Sequence, residues 1–387
     1  MGSYSHISFD DYPIFSAKNS YVNEIVDSIF LPEDYVEETR LNNSRNKIVW
    51  GRDFDNDSEY VFRGFSQTAK ICKQRLEIFG NCFLSAKNDF DEAKIVANEE
   101  YTYDFPINKA TYKNYLSELK SIIHNKEKNY DDLYGNLRES LITGELMITG
   151  QSLQSVLYSI LSVIDENSII EYDLSEVIAS GWVNQDFVKK INIEKIIVLA
   201  EGKTDTEFIS KSLLKIYPHL YPYYHFMDFD EFKVESNASA LVKLVTAFSA
   251  SNVKHPFIVL FDNDTTGIME MKRLLQIKLP LNIKVLKFPD IKSAKLYPTV
   301  GPTGIKKMNV NGLACGIEMY FGEDTLSKNG KKIPIHWKSY NEKEKQYQGE
   351  IYEKNYVQEQ FREKLKSSIG DFTDMKLILE KVFNAFN

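Results

Sequence analysis

The chain has 387 residues, of which 43% are hydrophobic and 26% charged, and a formal net charge of −8. Such a composition builds two or three globular domains and excludes a disordered or fibrous chain, while the acidic balance excludes a uniformly basic surface, so phosphate contacts have to come from local clusters of lysine. No run reaches the ~18 apolar residues of a membrane helix, no signal-like leader opens the chain, and Cys72, Cys82 and Cys315 have no metal-ligand spacing, which together predict a cytoplasmic protein with free thiols, no membrane partner and no structural zinc.

In chain order, Tyr4 to Ser16 reads as two short strands around Asp10-Asp11, and Lys47 to Trp50 as a third. From Ser66 the periodicity turns helical, with helices predicted over Gln67-Phe79, Ala86-Val96, Lys109-His124 and Tyr130-Ile142. The clearest apolar face is formed by Leu153, Val156, Leu157, Ile160, Leu161 and Ile164. Residues 1–185 are therefore expected to be an α+β domain, short β strands followed by a helical bundle, with Asn184 to Asn192 as the link to a second domain.

Beyond the link, strands and helices alternate: strand Ile196-Ala200, helix Thr206-Ile216, strand Tyr223-Met227, helix Ala238-Ser249, strand Phe257-Phe261, helix Gly267-Gln276 and strand Ile283-Phe288. This order predicts an α/β domain over 193–322 with a parallel sheet and helices on both faces. Two of the strands end in acidic turns, Glu201-Gly202-Lys203-Thr204-Asp205 and Asp262-Asn263-Asp264. Open α/β sheets build their sites at strand carboxyl ends. Carboxylates gathered there repel one another unless a cation neutralises them, so the residues point to a divalent-metal site for phosphodiester chemistry. Glu201 and Asp262 are the first candidate ligands; Asp264 shares a face with Asp262, and Asp205 would complete a second ion's shell.

Residues 323–387 are expected to complete this region with a hairpin turned by Asn329-Gly330 and two closing helices, after a helix near Ala314-Phe321. Between Lys284 and Lys345 twelve lysines stand against six acids, which marks Lys306, Lys307, Lys331 and Lys332 as candidate nucleic-acid contacts. Lys295 and Lys203 are candidates for stabilising transition-state charge. His219, His225 and His255 pair with nothing at ligand spacing, and no G-x-S-x-G elbow supports serine hydrolysis. Gly301-Pro302-Thr303-Gly304 lacks the Gly-Lys-Ser/Thr ending of a P-loop, so an ATPase or sensor, if the system uses one, is a separate partner.

Glu201-Gly202 after one strand and Asp262-x-Asp264 after a later one resemble the Toprim domain of topoisomerases, primases and OLD-family nucleases. The resemblance implies that Glu201, Asp262 and Asp264 hold Mg²⁺ or Mn²⁺. Asp205 fits the Glu-Gly-x-x-Asp/Glu form of the nucleases, which implies two ions, and Glu318 in Gly316-Ile317-Glu318-Met319-Tyr320 is similar to a late acid that returns to the site in nuclease-type Toprims; Glu350 is a weaker candidate of the same kind. At the other end, Met1-Gly2-Ser3-Tyr4-Ser5, Ser16-Ala17-Lys18-Asn19-Ser20-Tyr21-Val22 and Ile48-Val49-Trp50-Gly51 resemble the HEPN/Toprim-associated N-terminal domain. Catalytic HEPN ribonucleases have an arginine followed closely by a histidine, a pattern absent here, so this domain is expected to be a scaffold or homo-oligomerisation module. The resemblance as a whole implies a metal-dependent endonuclease acting on DNA or RNA in bacterial anti-phage defence. The competing reading is a non-catalytic nucleic-acid-binding or partner-sensing subunit whose acids hold a structural ion.

Overall fold

A computed structural model of the chain describes residues 2–9, 12–41, 59–100, 107–127, 136–191, 193–227, 236–302, 304–367 and 369–387. The expected strand Lys47–Trp50, the turn residues Asp10 and Asp11, and the start of the expected helix Tyr130–Ile142 lie outside the described residues. Backbone contacts divide the chain into two units, one reaching Ile193 and the other running Glu194–Phe386.

The first unit contains β1 (Tyr4–Phe9), β2 (Tyr12–Lys18), α1 (Asn23–Ile29), β3 (Tyr35–Leu41), β4 (Glu59–Thr68), α2 (Ala69–Glu77), α3 (Phe83–Glu100), α4 (Tyr112–Asn125), α5 (Leu137–Thr143), α6 (Leu153–Leu161), β5 (Ile169–Asp173), α7 (Ser175–Ala179) and α8 (Gln185–Val188). Its sheet is five-stranded and antiparallel, in the order β2-β1-β5-β4-β3. Strands followed by a separate bundle is therefore not the arrangement. β5 comes after the helices and enters the middle of the sheet, where Tyr172 lies opposite Ile7 of β1 and Phe65 of β4. Ile170 and Tyr172 alternate inward, but over only five residues, too short a pattern to stand out beside the helical segments. The helices and the sheet share one apolar core, which joins Ile7, Phe65 and Tyr172 to Phe90, Tyr115, Leu119 and Ile160. Thr111, Asn136 and Ser152 start α4, α5 and α6 by accepting a hydrogen bond from the third helical N–H.

One charge pair is sealed into this unit. Arg75 is 1% exposed and ion-paired with Asp34, donates to the Ile29 carbonyl at 2.9 Å, and shares Asp34 with Gln67 Nε2 at 2.8 Å. Arg138 is likewise held, by Glu118 and Glu127. Both arginines thus have structural partners.

The second unit begins with β6 (Ile196–Ala200), α9 (Lys203–Ile216), β7 (Tyr224–Phe226), α10 (Ala238–Ala250), β8 (Phe257–Phe261), β9 (Asn263–Asp264), α11 (Thr265–Leu274) and β10 (Ile283–Lys287). β10, β8, β6 and β7 form a parallel four-stranded sheet in that order. Every residue of β8 is buried, as a strand covered on both faces requires. Phe257, Val259 and Phe261 pack with Leu241, Val245 and Leu274 of α10 and α11, while Ile258 and Leu260 point to the face where α9 meets β6.

The rest of the unit comprises β11 (Tyr297–Gly301), β12 (Gly304–Met308), β13 (Ala314–Cys315), β14 (Ser327–Lys328), β15 (Lys331–Lys332), β16 (Ile335–Asn341), β17 (Gln346–Ile351), α12 (Lys354–Lys366) and α13 (Thr373–Phe383). The hairpin at Asn329-Gly330 is present, with φ of 50° and 74° at its two turn residues. A second four-stranded sheet, β12-β11-β16-β17, is an addition to the expected elements. The expected helix near Ala314–Phe321 is instead the two-residue strand β13 followed by a 3₁₀ turn over Ile317–Tyr320. Among the described residues no helix is long and apolar enough to cross a membrane.

Candidate metal centre

The order of the parallel sheet fixes where a site can form. The chain leaves β6 for β7 on one side and then returns to β8 on the other, so the gap at the carboxyl ends of β6 and β8 is the topological switch point. Glu201 follows β6 and Asp262 follows β8, and they meet in that gap, with the Asp262 backbone N–H donating to Glu201 Oε1 at 2.8 Å.

The Asp-x-Asp spacing works because the chain stays extended for two more residues. Asp262 and Asp264 face the cluster, while Asn263, fully buried, bonds Asp290 at 2.9 Å and accepts from Lys287 Nζ at 2.8 Å. Asp264 also caps α11, accepting from the Gly267 N–H at 2.7 Å. A Cβ at Gly267 would stand 2.6 Å from both Glu201 Oε1 and the Asp262 carbonyl, so only glycine lets α11 start this close. β9 pairs with β13, Asp264 opposite Ala314 and Asn263 opposite Cys315, and the 3₁₀ turn after β13 swings Glu318 back to the cluster. A Cβ at Gly316 would lie 3.3 Å from Glu318 Oε2 and 3.4 Å from Asp262 Oδ2. Asp205 closes the group from the first turn of α9, where its Oδ2 accepts from the Gly202 N–H at 2.8 Å.

Glu201, Asp205, Asp262, Asp264 and Glu318 are thus brought together, three of them half-buried at the cleft and Asp205 and Glu318 buried at 6% and 3% exposure. Crowding is visible in their proton affinities. Burial, then Asp264, pushes Glu201 up to about 8. Burial, then Glu318, pushes Asp205 up to about 7. Burial and the other acids hold Asp262 well above the carboxylate range, and burial raises Asp264 as well.

The remaining sequence candidates lie elsewhere. Lys295 is exposed beside a short 3₁₀ turn, with no hydrogen bond or ion pair to the acids. Glu350 sits on β17 in an ion pair with Lys338 and 3.5 Å from His336 Nε2. Lys306 and Lys307 are exposed on β12, an edge strand; Lys331 is exposed on β15, where Lys332 is paired with Glu323 at 2.6 Å.

Three side chains that the sequence did not single out hold the acids in place. Gln348 of β17 donates to Asp264 Oδ2 at 2.5 Å, Gln358 of α12 donates to Glu318 Oε1 at 2.7 Å, and Lys354 Nζ lies 3.2 Å from the same oxygen. Burial pulls the Lys354 ammonium down, but Glu318, Asp262 and Asp205 outweigh it and keep it charged. All three come from the last part of the chain, and no local motif marks them.

The donors suit a hard cation, because Mg²⁺ takes oxygen ligands, keeps several waters and is satisfied by one or two carboxylates. Asp262 Oδ1 is buried and has no hydrogen-bond partner among the described residues, an oxygen that a cation would satisfy. The other acids are already engaged by their own chain, and among the described residues no group of three or more Asp, Glu, His or Cys side chains is placed, as it stands, to hold a metal ion. The arrangement is therefore an open cleft centred on Asp262.

Residues 1–195 match the family described as HEPN/Toprim N-terminal domain 1. The chain belongs to that family. The match spans half of the chain and corresponds to the first unit with its antiparallel sheet and helices. It associates this HEPN/Toprim N-terminal protein with a nuclease-related family. Searches among curated proteins and solved structures give no match.

Proposed function

We infer that the chain is a divalent-metal-dependent endonuclease that hydrolyses phosphodiester bonds of DNA or RNA, with the second unit as a Toprim-type catalytic domain. The observation that carries this reading is the acid cluster at the switch point, with one buried carboxylate oxygen left unpaired. Asp262, Glu201 and Asp264 would hold the first Mg²⁺ or Mn²⁺, and Asp205 and Glu318 the second. A bound ion would supply positive charge to the phosphate and acidify the attacking water. Gln348 and Gln358 orient Asp264 and Glu318, and Lys354 brings a cation to the cleft where phosphate charge builds up. Lys306, Lys307, Lys331 and Lys332 would track the nucleic-acid backbone. We extend the reading to a cytoplasmic effector of anti-phage defence, in which the first unit would scaffold or self-associate and a separate ATPase or sensor would regulate cleavage.

The engagement of four of the five acids with their own chain favours a second reading, a non-catalytic nucleic-acid-binding or partner-sensing subunit with a structural ion. Plasmid DNA and total RNA incubated with the full chain in Mg²⁺, Mn²⁺ or EDTA separate the two. The nuclease reading expects cleavage with metal, none in EDTA, and at least a ~10²-fold loss in Asp262→Ala. Absence of metal-dependent products from both substrates would leave the second reading.

A further inference from the structure

The second sheet carries an open groove of about 440 Å³ that the acid cluster does not use. Its lining combines three aromatic side chains, Trp337, Tyr340 and Tyr347, with Lys306, Lys338 and Met308. The aromatics are displayed outward, Tyr340 at 50% exposure and Tyr347 at 56%. They also touch in sequence: Tyr347 lies 5.0 Å from Tyr340 and 5.9 Å from Trp337, ring centroid to centroid. Strand pairing sets this row, since Tyr340 faces Tyr347 and Trp337 faces Gly349 across β16 and β17. A Cβ at Gly349 would stand 2.9 Å from the indole, and one at Gly301, on the far side of β16, 3.8 Å from it. The indole thus lies across the sheet on ground that Gly349 leaves clear, while Gly301 sits at ordinary contact distance.

Such a surface is built for flat, apolar rings on a charged thread. Lys306, exposed and without an ion pair or side-chain hydrogen bond among the described residues, supplies a cation on one side, and Lys338, shared with Glu350, another. Stacking needs free base faces, which a duplex hides and a single strand offers. We propose that this groove binds single-stranded nucleic acid, stacking bases on Tyr340, Tyr347 and Trp337 while Lys306 and Lys338 meet the phosphates. β17 joins the groove to the acid cluster. Tyr347 faces the groove, and the next residue, Gln348, reaches the other way to Asp264. The Tyr347 carbonyl itself accepts from Thr265 Oγ1 at 2.8 Å, at the start of α11. The proposal rests on the nucleic-acid reading above and narrows its substrate to single strands or duplexes with unpaired segments.

The test reads binding in EDTA, by fluorescence anisotropy of the full chain with oligothymidylate, oligouridylate and a duplex, each of about 16 nucleotides, the upper end of site sizes for stacking folds. The expected result is at least ~10-fold tighter binding of a single strand than of the duplex, a further ~10-fold loss in Tyr347→Ala and ~10²-fold in the Tyr340→Ala, Tyr347→Ala double variant. Tyr347→Phe, which keeps the ring, should stay within about twofold of wild type, and Lys306→Glu should weaken binding and flatten its salt dependence. The two single-strand arms distinguish DNA from RNA as the source. Duplex binding as tight as single-strand binding, or a double alanine variant within about twofold of wild type while circular dichroism shows it folded, would overturn the proposal. A chain that binds in this way yet never cleaves keeps the groove and loses the nuclease reading; a chain that cleaves with metal but ignores the tyrosine changes does the reverse.

Discussion

Asp262 is the residue on which the second unit's electrostatics turn. Its carboxylate shares a cleft with four other acids, and one of its oxygens is both buried and unpaired. Without metal, Asp262→Asn should raise the melting temperature, by about 2–4 °C if ~1 kcal/mol of repulsion is relieved, while eliminating the stabilisation that Mg²⁺ gives the wild type. The same crowding sets a pH dependence. Glu201 and Asp205 move from ordinary values of 4.5 and 3.8 up to about 8 and about 7. Across that window the folded chain holds protons that the unfolded chain has released, so metal-free stability should fall as pH rises. Melting in EDTA should therefore worsen between about pH 5 and about pH 8, and added Mg²⁺ should restore more at the upper end. A metal-free melting temperature that is flat or rising there would contradict the crowding. Glu201 and Asp262 were legible in the sequence because each follows a buried strand directly, whereas Glu318 came only from the family resemblance. Gln348, Gln358 and Lys354 were not, because they reach the cleft only through the tertiary pairing of β17 and α12, and a glutamine or lysine in a polar segment carries no spacing signal.

At the level of elements, the parallel sheet was the easiest part to read. Ile196–Ala200 and Phe257–Phe261 are continuous apolar runs that end at turns, and both strands have the predicted bounds. The second sheet escaped because its strands are short and its outer positions are polar, so that β12 reads as a lysine-rich surface and β16 as a mixed one. Ala314–Phe321 has the small and apolar residues of a helix, but the pairing of β13 with β9 holds its start extended. β17 has the larger consequence for the site, since Gln348 links it to Asp264 and, at 3.0 Å, to the Thr266 backbone. Gln348→Ala should leave the sheet folded but weaken Mg²⁺ binding about 10-fold, the scale of losing a partner that orients a ligand. Calorimetric titration checks this, and an unchanged affinity would make Gln348 a packing residue only.

At the scale of the whole molecule, the first unit has its own sheet, core and buried Arg75–Asp34 pair. A fragment of about residues 1–193 should fold cooperatively and show no nuclease activity, with or without metal; cleavage of RNA by it would place chemistry in the wrong unit. Within this fragment Asp34→Ala should cost about 3–5 kcal/mol by stranding the arginine, as read from denaturant melts. The position of β5 also has a bearing on synthesis. β1–β2 and β3–β4 are two hairpins that only β5 joins, and it emerges after every helix from α2 to α6 has been made. At ~5–20 residues per second a ribosome takes roughly 5–20 s to travel from the end of β4 to the end of β5. For that interval β1 and β4 each offer an open hydrogen-bonding edge to any neighbouring nascent chain, so the most hazardous moment in this protein's life comes before its second unit has been translated at all.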